Sequence, residues 1–141
     1  MPTIRDARPQ DAHSLNALLA ALDYPGTERF IEARLAQLLA HPDERLLVAE
    51  DEGRVLGFIS LHFIVQLALP GDFCRISYFC VADEARSLGI GAALEQAAER
   101  LARERSCDRI ELHCAIRRSD AHRFYFRQGY EESPKYLMKR L

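Results

Sequence analysis

The sequence lacks the arrangements that point most directly to a metal or redox protein. Its four cysteines, Cys74, Cys80, Cys107 and Cys114, form no CxxC pair, and no histidine stands at zinc-finger spacing from them. They sit in apolar stretches, where a cysteine is more often a small core residue than a nucleophile. Long hydrophobic runs are missing too. The longest, GFISLHFIVQLAL, is interrupted by His62 and Gln66, and MPTIRDARPQD at the N-terminus has no apolar signal core, so a cytoplasmic chain without membrane contact is expected. There is no excess of one charge: the net value of -2 gives no electrostatic case for nucleic acid. Neither GxGxxG nor GxxxxGK occurs, and no repeat, linker or low-complexity tract divides the chain.

What is present fits one folded domain over residues 1–141, long enough to bury a core, with 48% hydrophobic and 28% charged residues. Charge is uneven along it. Residues 1–70 carry 6 basic and 10 acidic side chains, and residues 71–141 carry 13 and 11, so the second half is better suited to receive an anion.

The order of elements follows from periodicity and breakers. TIR reads as a strand. Pro9 and Asp11 introduce a helix with Leu15, Leu18, Leu19 and Leu22 on one face, and from Thr27 a second helix carries Ile31, Leu35, Leu38 and Leu39 in register until HPD stops it. RLLVAE and RVLGFISLHF flank DEG as a hairpin, and FCRISYFCV returns after LPGD. A helix follows with Leu94, Ala97, Ala98 and Leu101 inward and Glu95, Glu99, Arg100 and Arg103 toward water. CDRIELHCAI alternates as a strand through Ile110, Leu112, Cys114 and Ile116. SDAHRFYFRQGY is a short helix stopped at Gly129, and KYLMKRL supplies a last edge strand. The sum is an α+β, three-layer α/β/α arrangement: a mixed, mostly antiparallel sheet of six to seven strands with four helices.

The stretch ARSLGIGAALEQAAERLA places two glycines at a helix start, where each costs about 1 kcal/mol relative to alanine in a helix interior. Unpaired N–H groups and the positive end of the helix dipole make such a start a phosphate site, and glycine lets the oxygens come close. Arg86, Gly89 and Gly91 therefore suit a pyrophosphate.

These residues, with their surroundings, resemble the GNAT superfamily of acyl-CoA-dependent N-acetyltransferases. The strand YFCV leads into Arg86-x-x-Gly89-x-Gly91, and Ala121-x-x-x-Tyr125-x-x-x-Gly129-Tyr130 matches the family's second signature. DAHRFY and RISYFCVADEAR further resemble bacterial small-molecule acetyltransferases, including those acting on aminoalkylphosphonates. The resemblance implies a GNAT-like fold and acetyl-CoA as cosubstrate, held at Arg86, Ser87, Leu88, Gly89, Ile90, Gly91 and Ala92. It also implies a splay between two strands for the pantetheine arm, the N–H of Val81 or its neighbour at the thioester oxygen, Arg118 near the cofactor, and Tyr125 as proton donor to the leaving thiolate. A phenol titrating near about 10 is a usable acid toward a thiolate.

The general base departs from the family pattern, because Arg75 and Ser77 stand where Glu or His is common. His62, Tyr78, Glu50 or a water chain remain open, and His113 is a weaker alternative. Arg75 suits a carboxylate or phosphonate on a substrate, or an ion pair with Asp72 or Glu50. Cys80 has no base at fixed spacing, so direct transfer is expected over a covalent intermediate. The acceptor is read as a small-molecule amine. Acetylation of a protein lysine or N-terminus, or a silent acyl-CoA sensor, are the alternatives. Nothing in the sequence decides between a monomer and a homodimer.

Overall fold

Strand β1 (Thr3–Asp6) leads through a 3-10 turn at Pro9–Asp11 into helix α1 (Ala12–Ala21). Proline suits that first turn because its missing N–H would have no partner there. A second 3-10 turn precedes helix α2 (Ile31–Ala40). These coordinates come from a computed structural model that describes residues 2–113, 119–132 and 137–141. Leu15, Leu18 and Leu35 are buried as their spacing requires. Leu39 is not: it is 38% exposed, and Leu38 takes the inward place in the last turn of α2.

Strands β2 (Glu44–Asp51) and β3 (Arg54–Ile64) form the hairpin read from the sequence. Its two-residue turn has positive φ at Glu52 and Gly53, the type I′ geometry that matches strand twist. Strand β4 (Phe73–Val81) pairs antiparallel with β3, helix α3 (Ile90–Glu104) follows, and β5 (Arg109–Leu112) joins the far side of β4. The sheet order is β1-β2-β3-β4-β5. The first three pairings are antiparallel. β5 runs parallel to β4, since the Asp108 N–H donates to the Asp72 carbonyl at 2.6 Å and so brings the two strand starts together.

The sheet therefore has five strands among the described residues, fewer than the six to seven expected. Residues 137–141 form no strand and Leu137 and Leu141 are exposed, because alternating apolar residues do not make a strand without a ladder partner. Cys114 and Ile116 lie outside the described residues.

The chain divides into two compact units, Met1–Glu111 and Leu112–Leu141. In the first, α1 lies on one face of the sheet, where the Cys80 Sγ reaches the Leu18 carbonyl at 3.5 Å, and α3 covers the other. Ile59 and Leu61 of β3 meet Ile90 and Leu94 of α3 in the most deeply buried part of the core. Each such side chain contributes about 1.5–3 kcal/mol on burial. Small residues at Ala97, Ala98 and Ala102 complete the buried side of α3. Two expectations for this helix fail. Leu101 is only half-buried, and Glu95 is 2% exposed rather than facing water, because it lies beside Leu94 on the broad inward side. In the second unit, helix α4 (Ser119–Arg127) ends at Gly129 with φ +93°, and the Tyr130 N–H donates back to the Tyr125 carbonyl at 3.1 Å.

Candidate functional site

The Ala82 N–H donates to the Leu56 carbonyl at 2.8 Å and closes the β3–β4 ladder. Because successive amides of a strand point to opposite sides, the Val81 N–H is turned away from β3. A 3-10 turn at Asp83–Ala85 then leads to Arg86, Ser87 with φ +71°, and Gly89 with φ +78°. An L-residue in the left-handed region costs about 1–2 kcal/mol, so Ser87 is held against its own preference by the loop. Gly89 is the N-cap of α3 and has no side chain with which to cap it. The first helical hydrogen bond runs from the Ala93 N–H to the Gly89 carbonyl at 3.0 Å. The amides of Ile90, Gly91 and Ala92 thus have no acceptor within the helix.

Those amides, together with an exposed Arg86, fit a diphosphate. Among the described residues a Cβ at Gly89 would meet nothing within 4 Å, so the turn is open on that side. The Arg86 side chain is 65% exposed and its Nε lies 3.2 Å from Asp83, a surface contact worth little in water that an anion can displace. Ser87, Leu88, Gly89, Ile90, Gly91 and Ala92 are all assembled in this one turn.

A second group of polar side chains lies in the first half and middle of β4. The register shifts by one between Ser60 and Leu61, so that Ser60 faces Tyr78 while Leu61 faces Ile76. Ser77 is the extra residue. This bulge puts Ser77 and Tyr78, both exposed, on the same face of the sheet as His62. His62 Nε2 is 2.5 Å from Ser77 Oγ, and its Nδ1 contacts the Glu44 carboxylate on β2. Directly across from His62 stands Arg75, which pairs through Nε and Nη2 with Glu111 of β5. Its guanidinium also lies 5.7 Å from the Phe73 ring centroid. Tyr78 meets Tyr24 edge-on, with centroids 5.2 Å apart.

Several sequence readings change accordingly. Arg75 is paired with neither Asp72 nor Glu50. Glu50 instead accepts from Arg5 at 3.1 Å, and that hydrogen bond holds its carboxyl below the ordinary range, which makes it a poor base. Cys80 is buried against α1, as a core residue would be. Burial, with Cys107 nearby, pushes the Cys74 thiol up to about 12, and burial also raises Cys107, so neither is a thiolate near neutrality. Among the described residues no three His, Cys, Asp or Glu side chains converge to hold a metal, and no helix is long and apolar enough to cross a membrane.

Tyr125 lies in the second unit, half-buried and edge-on to Phe124 and Tyr130 at 5.4 and 5.6 Å. His113 is exposed in the same unit. Arg118 lies outside the described residues. Glu44 and Glu111 had no signal in the sequence, because a residue's partner across a sheet depends on register and not on spacing along the chain.

Comparison with known proteins gives the following. A family model described as Acetyltransferase (GNAT) family matches residues 13–130. Aminoalkylphosphonate N-acetyltransferase of Salmonella typhimurium is 35% identical over 135 residues, which cover 92% of this chain and 85% of that protein. Aminoglycoside N(6')-acetyltransferase type 1 of Klebsiella aerogenes is 26% identical over 137 residues, covering 93% and 90% respectively. The crystal structure of a transcriptional regulator from Bacillus halodurans C-125 superposes with a TM-score of 0.93 at 25% identity and covers 100% of both chains.

Proposed function

The chain belongs to the GNAT family and is an N-acetyltransferase, and from that premise we propose that it moves the acetyl group of acetyl-CoA directly to the primary amine of a small molecule, with residues 1–141 acting as one domain in the cytoplasm. Acetyl-CoA supplies the activated thioester, whose carbonyl carbon accepts the amine. The chain's own residues bind, orient and move protons. The uncapped start of α3, with its amides at Ile90, Gly91 and Ala92 and the Arg86 charge, holds the diphosphate. The Val81 N–H, turned away from β3, donates to the oxygen that becomes negative during attack. Tyr125 returns a proton to the departing thiolate.

The observation that carries the reading is the Gly89 turn, left-handed, uncapped and open on its Cβ side, at the place where the family matches. A small acceptor is supported by the aminoalkylphosphonate relative and by the first half of β4. There Arg75 lies across from His62 on the same face. The Arg75 guanidinium is paired with Glu111, and an anionic group on a small amine would take the place of that carboxylate.

The test is release of free thiol from acetyl-CoA in the presence of 2-aminoethylphosphonate, of an aminoglycoside and of lysine peptides. Turnover with the aminophosphonate ahead of the peptides is expected, and turnover with peptides alone overturns the small-molecule reading. Tyr125→Phe is expected to lower kcat about a hundredfold with acetyl-CoA affinity nearly unchanged. Equal turnover by this variant at all pH values removes Tyr125 from the mechanism.

A further inference from the structure

We propose that Glu44, His62 and Ser77 form a proton relay that deprotonates the acceptor ammonium before it attacks the thioester. The proposal rests on the acetyltransferase reading and chooses the base that the sequence left open among His62, Tyr78, Glu50 and a water chain.

The three residues come from three successive strands, β2, β3 and β4, and share one face only because of two register shifts. The first lies between Ala49 and Glu50 and brings Glu44 opposite His62. The second makes Ser77 the extra residue and turns its hydroxyl toward His62. Glu44 Oε2 is buried, lies against His62 Nδ1 and has no hydrogen-bond partner among the described residues, so a proton on Nδ1 is the tautomer that would satisfy it. Nε2 is then the basic nitrogen, and the Ser77 O–H donates to it across 2.5 Å. Glu44 and His62 are 19% and 26% exposed, whereas Ser77 is exposed on the bulge. The relay therefore has a sheltered end and an open end. Its open end lies on β4 itself, four residues before Val81, on the strand that leads to the diphosphate-binding turn.

The step balances as follows. The ammonium N–H bond breaks and its proton passes to Ser77 Oγ, as the Ser77 O–H proton passes to His62 Nε2. Ser77 is unchanged, the imidazole becomes imidazolium, and the nitrogen lone pair is released for attack. Glu44 is a positioning residue that fixes the ring's tautomer and faces the imidazolium as it forms. Among the described residues this face also carries Arg75, opposite His62, with its partner Glu111 from β5, Tyr78 beside Ser77 with Tyr24 edge-on to it, and, further along β1 and β2, Arg5 with Glu50. The pairing with Glu111 offsets the Arg75 charge.

The experiment measures kcat/KM for 2-aminoethylphosphonate from about pH 6 to about pH 10 in the wild type, His62→Gln, Glu44→Gln and Ser77→Ala. His62→Gln is expected to lose about a hundredfold at the acid end, the usual contribution of a general base. Its deficit should shrink to within about threefold at the alkaline end, where the amine arrives neutral and needs no base. Glu44→Gln and Ser77→Ala should show the same convergence with smaller losses. The KM for acetyl-CoA should be unchanged in all three, which also shows that they fold. A deficit independent of pH, or none, overturns the relay. So does acetylated Ser77 in acid-quenched wild-type enzyme by mass spectrometry, which would make the serine a nucleophile. A wild type that acetylates no amine at any pH fails the functional reading itself, a result distinct from a loss confined to the variants.

Discussion

Arg5 engages two carboxylates at once. Its Nη1 and Nη2 donate to Asp11 at 2.8 and 2.9 Å, its Nε donates to Glu50 at 3.1 Å, and its side chain is only 13% exposed. Asp11 also accepts from the Arg8 N–H at 2.7 Å. The Arg5 hydrogen bonds hold the Asp11 carboxyl below its ordinary range, although burial opposes them. A folded value below the unfolded one stabilises the protein fully above about pH 4, and that contribution is lost as pH falls through the lower folded value. Asp11→Ala, which leaves the mostly buried guanidinium with Glu50 as its carboxylate partner, is expected to cost about 1.5–3 kcal/mol near neutrality. Urea denaturation at pH 7 and at acid pH checks this, with the difference between variant and wild type shrinking at the lower pH. An equal difference at both would show that the carboxylate charge contributes nothing.

At the level of elements, Gly57 governs how closely α3 approaches the sheet. A Cβ there would lie 2.8 Å from the Cys80 carbonyl oxygen and 3.2 and 3.3 Å from side-chain atoms of Leu94 and Ile90. The oxygen is backbone and cannot yield cheaply. Gly57→Ala should therefore destabilise the fold by about 1–3 kcal/mol, read as a lower urea midpoint at constant slope. An unchanged midpoint would mean that β3 and β4 can part without cost. Sequence reading of the elements succeeded where packing follows local pattern. β4 has the bounds of FCRISYFCV, and the stripe of Leu94, Ala97 and Ala98 is buried. It failed at Glu95 and Leu39, whose burial depends on what lies across from them. Nor does the order of residues announce a bulge.

Ligand linkage belongs to the whole molecule. If the native state alone binds acetyl-CoA, a hundredfold excess over Kd stabilises it by about 2.7 kcal/mol, about 5–10 °C in Tm for a chain of this size. Gly89→Trp would fill the open side of the turn before α3 and force a bulky side chain to φ +78°, so it should lose that shift. A thermal melt with and without acetyl-CoA decides it, and an undiminished shift in the variant would place the diphosphate elsewhere. By itself the sequence determined the element order up to α4, the cores of the helix stripes at Leu15, Leu18, Leu35, Leu94, Ala97 and Ala98, and the turn from Arg86 to Ala92, because each is written in neighbouring residues. Only the tertiary structure decided that Glu44, His62 and Ser77 share a face and that Arg75 joins Glu111. Side chains alternate across a strand with a period of two, so each one-residue shift in register sends everything beyond it to the opposite face.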